Sequence, residues 1–241
     1  MPMFKKYVLP VSICLVVLVT CIGVLQWRSI NADDRIMNDI EASSGDASKT
    51  ITENDVTVGD APAYVENGAL VIGERDAPVT ILEFSSLSCP HCATFHKVTL
   101  GDLKTDYVDT GKVKFVFNDF PLNGPAMAGS LLLKCIPLEN RYEFMEMLFD
   151  QQAQWAFDNN FNNKLKQYAA LLGIGSARAE ECMSDREAQA AIVAAMQTAN
   201  EAYEISSTPS FVIQPGGEKL TGAQPYGEFS TRIEALINQE E

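Results

Sequence analysis

The stretch Asp76–Cys92, DAPVTILEFSSLSCPHC, passes from a proline stop through a strand and a turn into a C-x-x-C pair. Val79–Phe84 (VTILEF) is rich in branched and aromatic residues, as a buried strand should be. Ser85–Ser88 turns the chain, and the spacing predicts a helix from about Pro90, with Phe95, Val98, Leu103 and Tyr107 on one rough face. Cys89 then stands where a helix begins, facing unpaired backbone N–H groups and the positive end of the helix dipole. That setting favours a thiolate and lowers the pKa of Cys89. Pro90 suits the first helical turn because its missing N–H would go unpaired there anyway. His91 adds a hydrogen bond or a positive charge close to the sulfur. Each of these effects stabilises the reduced form and makes a Cys89–Cys92 disulfide the stronger oxidant.

Outward from this junction the pattern stays legible. Ala69–Gly73 (ALVIG) reads as a short strand before it, and Val113–Phe117 (VKFVF) as a strand after Gly111, so strand, helix and strand imply a right-handed crossover joining two parallel strands. A helical block follows. Ala126–Ile136 stops at Pro137; Phe144, Met147, Leu148 and Trp155 recur at helical spacing; and Lys164–Leu172 ends at Gly173. Ser176–Met183 is a short helix with Ser176 as its cap, and Glu187–Tyr203 carries Ile192, Met196, Ala199 and Tyr203 on one stripe. These Met and aromatic stripes read as core packing. Ser210–Gln214 and Glu218–Thr221 return to strands around the turn at Pro215–Gly217, and a last helix aligns Tyr226, Phe229, Ile233 and Ile237. The fold class is α/β: one sheet, with a helical subdomain inserted at about 123–204.

Composition bounds the function. The chain of 241 residues carries a formal charge of −14, and residues 1–29 hold three cations (Lys5, Lys6, Arg28), so the remainder carries −17. Such a surface repels phosphate backbones and anionic lipid, which excludes nucleic acid as a partner. Lys5 and Lys6 precede an apolar run, Tyr7–Trp27, about 20 residues long, enough to cross a membrane and longer than the apolar part of an ordinary signal peptide. The leading lysines hold the N-terminus inside and send the rest outward. Three fates fit residues 1–28: an uncleaved anchor, a signal cleaved after Ala32, or a lipoprotein site at Cys21. All three put the domain outside the cytoplasm. Residues 29–60 are polar and read as a solvated tether, and one continuous domain fills 61–241.

Of the six cysteines, Cys14 and Cys21 lie in the apolar run, while Cys135 and Cys182 stand alone in the helical block. In an oxidising compartment such thiols tend to pair. A haem site of the C-x-x-C-H kind is excluded by Ala93. Zinc would need two further ligands, and His91 and His96 follow the cysteines on one short helix with poor tetrahedral geometry. His96 reads as a helix-surface residue, and no metal is expected. Glu83 interrupts an otherwise apolar strand six residues before Cys89. A buried carboxylate is costly unless used or paired, so it is either functional or solvated.

The stretches DAPVTILEFSSLSCPHC, Asp119–Leu122 (DFPL) and Ser207–Ile213 (STPSFVI) resemble the DsbA-like branch of the thioredoxin superfamily, in its alphaproteobacterial form, over roughly Ala69 to Glu240. The resemblance implies a thioredoxin-like fold with a helical insertion and a periplasmic enzyme that oxidises exported proteins with free thiols, tethered by residues 7–27 or released after cleavage. It makes Cys89 the exposed nucleophile, Cys92 the buried resolving thiol, and Glu83 the acid that relays a proton for Cys92. It makes Thr208-Pro209 a cis-proline turn that lies against both sulfurs and pairs with substrate backbone. It implies no bound cofactor, and reoxidation by a DsbB-like, quinone-linked membrane protein. Related sequences carry cysteines matching Cys135 and Cys182 joined as a second disulfide; two separate buried thiols or a second catalytic pair are the alternatives. Thr208 departs from the valine of the best-known members and resembles isomerases and reductases, so an isomerase remains the rival, with a non-catalytic binding module behind it.

Overall fold

A computed structural model describes residues 56–59 and 61–239. Seven strands form one sheet in the order β1-β2-β3-β5-β4-β6-β7. They are β1 (Val56–Val58), β2 (Ala61–Glu66), β3 (Ala69–Ile72), β4 (Val79–Ser85), β5 (Val113–Asp119), β6 (Ser210–Gln214) and β7 (Glu218–Thr221). Only β4 and β5 run parallel; every other neighbouring pair is antiparallel. The parallel pair is the expected strand–helix–strand crossover. β2 and β3 were not both foreseen. They form a hairpin closed by Asn67-Gly68, whose two positive φ angles (50° and 81°) suit the twist of paired strands. Val56–Val58 pairs along β2 where the sequence reads as polar tether. The apolar run 7–27 lies outside the described residues. Among the described residues no helix is long and apolar enough to cross a membrane.

The helix after Cys89 runs from 90 to 108 and is called α1. It is α-helical at Pro90–Phe95 and Gly101–Leu103, and π-helical at His96–Leu100 and Lys104–Val108. The wider π turns shift the phase of its buried face. Phe95, Leu103 and Tyr107 point inward as expected, but Val98 is 69% exposed and His96 is buried. Between β5 and β6 lie α2 (Gly124–Cys135), α3 (Leu138–Asp150), α4 (Gln152–Trp155), α5 (Phe161–Leu171), α6 (Ser176–Met183) and α7 (Arg186–Tyr203). Asn123 caps α2 by accepting from the Ala126 N–H (3.0 Å), and Asp185 caps α7 by accepting from Glu187 and Ala188 N–H (2.9 Å each). Ser176 is not a cap. It is the first residue of α6, the capping position falls on Gly175, and no side chain bonds there.

Alternation along β4 sorts the sheet's two faces. Val79 and Ile81 join the main core with Phe95, Phe115, Phe211, Phe229 and Ile233, the last two from α8 (Tyr226–Ile237). Phe84 faces the other way, into a smaller cluster with Val212, Phe120, Ile205 and Ala199 of α7. Glu83 shares the face of Val79 and Ile81, fully buried under α1. The helical block is tied together by a disulfide between Cys135, at the end of α2, and Cys182 of α6, 47 positions apart. In the chain-entropy account, closing a loop of that length contributes about 4 kcal/mol. Cys135→Ala with Cys182→Ala should therefore lower the unfolding free energy by roughly that much, less any residual order in the unfolded chain, and move the denaturant midpoint down accordingly. Equal midpoints for parent and variant would show that the bond contributes nothing.

Candidate active site

The turn 85–88 is held from three sides before the cysteines begin. The Cys89 N–H donates to Ser86 O (2.9 Å), and the Leu122 N–H donates to Ser86 Oγ (3.3 Å). Ser88 Oγ donates to Asn123 Oδ1 (3.0 Å), the atom that also caps α2. From the helical block, Gln152 Nε2 donates to both Leu87 O (2.8 Å) and Cys89 O (3.0 Å). Gln152 and Asn123 were not singled out from the sequence, because only tertiary packing brings them to the turn. Cys89 occupies the N-cap position of α1 in an extended conformation, with Pro90 as the first helical residue, as the sequence predicts.

Across the sheet, the antiparallel register pairs Phe84 with Ser210 and so delivers the segment before β6 to the same spot. The Thr208-Pro209 bond is cis, and the Cys89 thiol donates to Thr208 O at 3.3 Å, a contact between residues 119 apart. A second cis bond, Gln214-Pro215, was not foreseen. Thr208 is buried, and its hydroxyl has no partner while Cys89 is a thiol. Cys92 is fully buried, whereas Cys89 retains 8% exposure, so the expected order of access holds although the first sulfur is itself largely covered. His91 and Pro90 are exposed on the surface beside it.

The two sulfurs are driven to opposite protonation. The Cys92 S–H donates to the Cys89 sulfur, and despite burial the Thr208 hydroxyl and the backbone N–H groups of Cys92 and His91 also stabilise a thiolate there. The Cys89 pKa falls from 9.0 to about 5. His91 thus acts through its backbone. Cys92 moves the other way: desolvation first, then its hydrogen bond to Cys89 and the nearby charge of Glu83, push its thiol far above the ordinary range.

Glu83 is not solvated. Its Oε1 lies 3.0 Å from His96 Nε2, and its Oε2 is buried without a partner. His96, read from sequence as a surface residue, is 5% exposed; its ring stacks on Phe149 at 4.0 Å and its Nδ1 meets Glu146 Oε1 at 2.5 Å. The missed signal was spacing. His96 stands four residues after Cys92, so if Cys92 is buried, so is His96.

The sequence profile of the thioredoxin family (Thioredoxin_4, described as Thioredoxin) matches residues 66–235. A Rickettsia prowazekii protein that carries the provisional name of protein-disulfide oxidoreductase is 27% identical over 150 residues, covering 62% of this chain and 55% of the relative. Disulfide bond formation protein D of Bacillus subtilis is 34% identical over 109 residues, covering 43% of this chain and 47% of the relative. The chain therefore spans about half the length of these curated relatives. The crystal structure of Wolbachia pipientis alpha-DsbA1 superposes with a TM-score of 0.67 at 25% identity, over 73% of this chain and 94% of that one. With a family profile spanning most of the chain and a DsbA structure superposing over 73% of it, the chain belongs to the thioredoxin family, in its DsbA-like branch.

Proposed function

We propose that this chain is a thiol–disulfide oxidoreductase that introduces disulfide bonds into exported proteins. The observation that carries the reading is the unequal pair of sulfurs: Cys89, stabilised as a thiolate and in contact with Thr208 beside the cis-proline, above a fully buried Cys92 thiol. In the oxidised enzyme a substrate thiolate attacks Cys89 Sγ, the Cys89–Cys92 bond breaks, and Cys92 leaves and takes a proton. A second substrate thiolate attacks the substrate sulfur of the mixed disulfide and expels Cys89 as a stable thiolate. The substrate dithiol is oxidised to a disulfide and the enzyme's disulfide is reduced to the dithiol. No bound cofactor enters this exchange. Turnover requires a reoxidant, which in this reading is a DsbB-like membrane protein. In this reading the backbone of Thr208 pairs with an extended substrate segment, while Glu83 serves Cys92 as its proton acceptor. Residues 7–27 hold the domain at the periplasmic face of the inner membrane, or a cleaved signal releases it.

One observation favours a second reading. The Thr208 hydroxyl, buried beside Cys89, strengthens the thiolate and also gives the site the threonine found in isomerases and reductases of the superfamily. Valine of similar volume offers no hydroxyl. Thr208→Val should therefore raise the Cys89 pKa and slow repair of a scrambled-disulfide substrate. An unchanged reduction potential together with an unchanged repair rate would make the position neutral.

A thiolate-state absorbance titration tests the core of the proposal. The reduced protein should lose the thiolate absorbance of Cys89 with a midpoint near pH 5. Because the folded pKa lies below the unfolded value of 9.0, ionisation of Cys89 stabilises the reduced fold fully above pH 9 and not at all below pH 5. The stability of the reduced protein relative to the oxidised one should thus rise across pH 5–9, with a limiting slope of about 1.4 kcal/mol per pH unit. A pH-independent difference would count against it. The roles of the sulfurs are separated by trapping. Cys92→Ser should accumulate mixed disulfides on Cys89 in cells exporting it, seen as adducts on a non-reducing gel, and Cys89→Ser should accumulate none. Matching adduct patterns would overturn the assignment.

A further inference from the structure

The exchange above uses Glu83 but gives no role to His96 or Glu146. The three form a line through the protein. Glu83 on β4 is fully buried, the His96 side chain on α1 is 1% exposed, and the Glu146 side chain on α3 is 32% exposed. His96 Nε2 reaches Glu83 Oε1 at 3.0 Å, and His96 Nδ1 reaches Glu146 Oε1 at 2.5 Å. An ionised carboxylate only accepts hydrogen bonds, so an imidazole that serves two of them must carry protons on both nitrogens. The ring sits between Phe149 and Phe117 (centroids 4.0 and 5.9 Å), with Phe95 at its edge, and these apolar walls keep water from replacing either contact. The other titratable groups facing this cluster are Tyr142 of α3, which feels the charges of Glu146 and Glu83, and Cys92, which feels Glu83; Lys97 and Asp150 pair on the exposed side. Burial alone pulls the His96 pKa down, but the charge of Glu83 and the bonds to Glu146 and Glu83 outweigh it and lift it to about 10.

We propose that His96 is a positioning residue for the resolving cysteine: its imidazolium, anchored by Glu146, holds Glu83 ionised through Oε1 and leaves Oε2 open as the proton acceptor for Cys92. This rests on the exchange reading above and deepens it. A lone carboxylate at the buried position of Glu83 would take up a proton and lose its use as a base. With the imidazolium bound at Oε1, Glu83 stays charged and keeps Oε2 buried and without a partner. When Cys89 is joined to a thiol R–SH in a mixed disulfide, the Cys92 S–H proton passes to Glu83 Oε2. The Cys92 thiolate then attacks Cys89 Sγ, the Cys89–Cys92 bond forms, the bond from Cys89 to the R sulfur breaks, and R–S⁻ leaves to be protonated by water. The reverse sequence returns the proton from Glu83 to Cys92 as that thiolate leaves. His96 touches neither sulfur in either direction and acts through Glu83.

The two steps separate with dithiodipyridine. The test uses the full chain in detergent, with Cys14→Ala and Cys21→Ala so that Cys89 and Cys92 are its remaining thiols. One equivalent of reagent should release thiopyridone in two phases, the first from attack by Cys89 and the second from attack by Cys92. His96→Gln should slow the second phase about tenfold or more at pH 7 and move its midpoint upward by about one pH unit or more, with the first phase changed less than twofold. Glu146→Gln should shift the second phase in the same direction by less. Infrared spectra of His96→Gln at neutral pH should gain a protonated-carboxyl band that disappears when Glu83→Gln is added. If the first variant does not melt cooperatively, Glu146→Gln decides, since its side chain is part-exposed and its removal leaves the ring in place. Parent-like pH profiles in the folded variants, or no carboxyl band, overturn the inference while leaving the exchange reading intact. A parent chain with no Cys92-dependent second phase overturns the exchange reading, and this inference with it.

Discussion

The antiparallel register of β4 against β6 is the constraint on which the site depends. It pairs Phe84 with Ser210 and Glu83 with Phe211, and so sets the cis Thr208-Pro209 turn over the Cys89 end of α1. Neither half has the needed chemistry alone. A C-x-x-C at a helix start stabilises a thiolate in general terms, but the Thr208 hydroxyl that adds to it comes from a residue 119 positions away. A slip of one residue in this pairing would turn every side chain of β6 to the opposite face, sending Phe211 out of the core and carrying Thr208 away from the sulfur. The aromatic packing of Phe95 with Phe211 (4.5 Å) and Phe229 (5.5 Å) guards against that slip. It fixes α1 to β6 directly, three residues beyond Cys92.

The difference between the two sulfurs follows from depth and from the direction of hydrogen bonds. Cys89 lies at the helix end, where N–H groups have no carbonyl within the helix and so point at it. Cys92 lies one turn on, deeper and in apolar surroundings. Desolvation therefore favours its neutral form, and that neutral S–H becomes a donor to Cys89. One sulfur's burial thus supplies part of the other's acidity. Both remain free thiols in this structure, while Cys135 and Cys182 are bonded, although all four share one core.

Much of this was legible in the sequence because it rests on local rules. Branched residues mark β4 and β5, Pro90 marks the start of α1, and the helical block shows its periodicity and stops. What was not legible depends on contacts between elements. The hairpin of β2 and β3 was missed although Asn67-Gly68 signals it, because β2 (APAYVE) begins with small residues and ends in charge. Val98 lines up with Phe95 in the sequence yet is exposed, in a segment wound with π turns, and His96 reads as a surface residue although its spacing from the buried Cys92 turns it inward. Glu146 and Gln152 carry no local mark at all. Their importance lies in what they meet, the His96 ring and the carbonyls of the cysteine turn.

The irregularity of α1 and the charge at Glu83 have a common explanation. Glu83 shares a sheet face with Val79 and Ile81, so strand alternation forces its carboxylate into the core beneath the helix. The cost of burying it falls only if a cation reaches it, and no Lys or Arg lies within its hydrogen-bond or ion-pair distance among the described residues. The cation comes from α1: His96 stands one turn after the buried Cys92, where the winding widens, with its ring inward and Val98 out in solvent. π turns are rarer and less favourable than α turns, and they tend to persist where a side chain must be placed off the α period. Exposing an apolar Val98 is the visible loss, and a compensated buried carboxylate next to Cys92 is the gain. Phe149 and Phe117 complete the trade, because the faces that exclude water from the imidazolium also hold it at the bonding distance Glu83 requires.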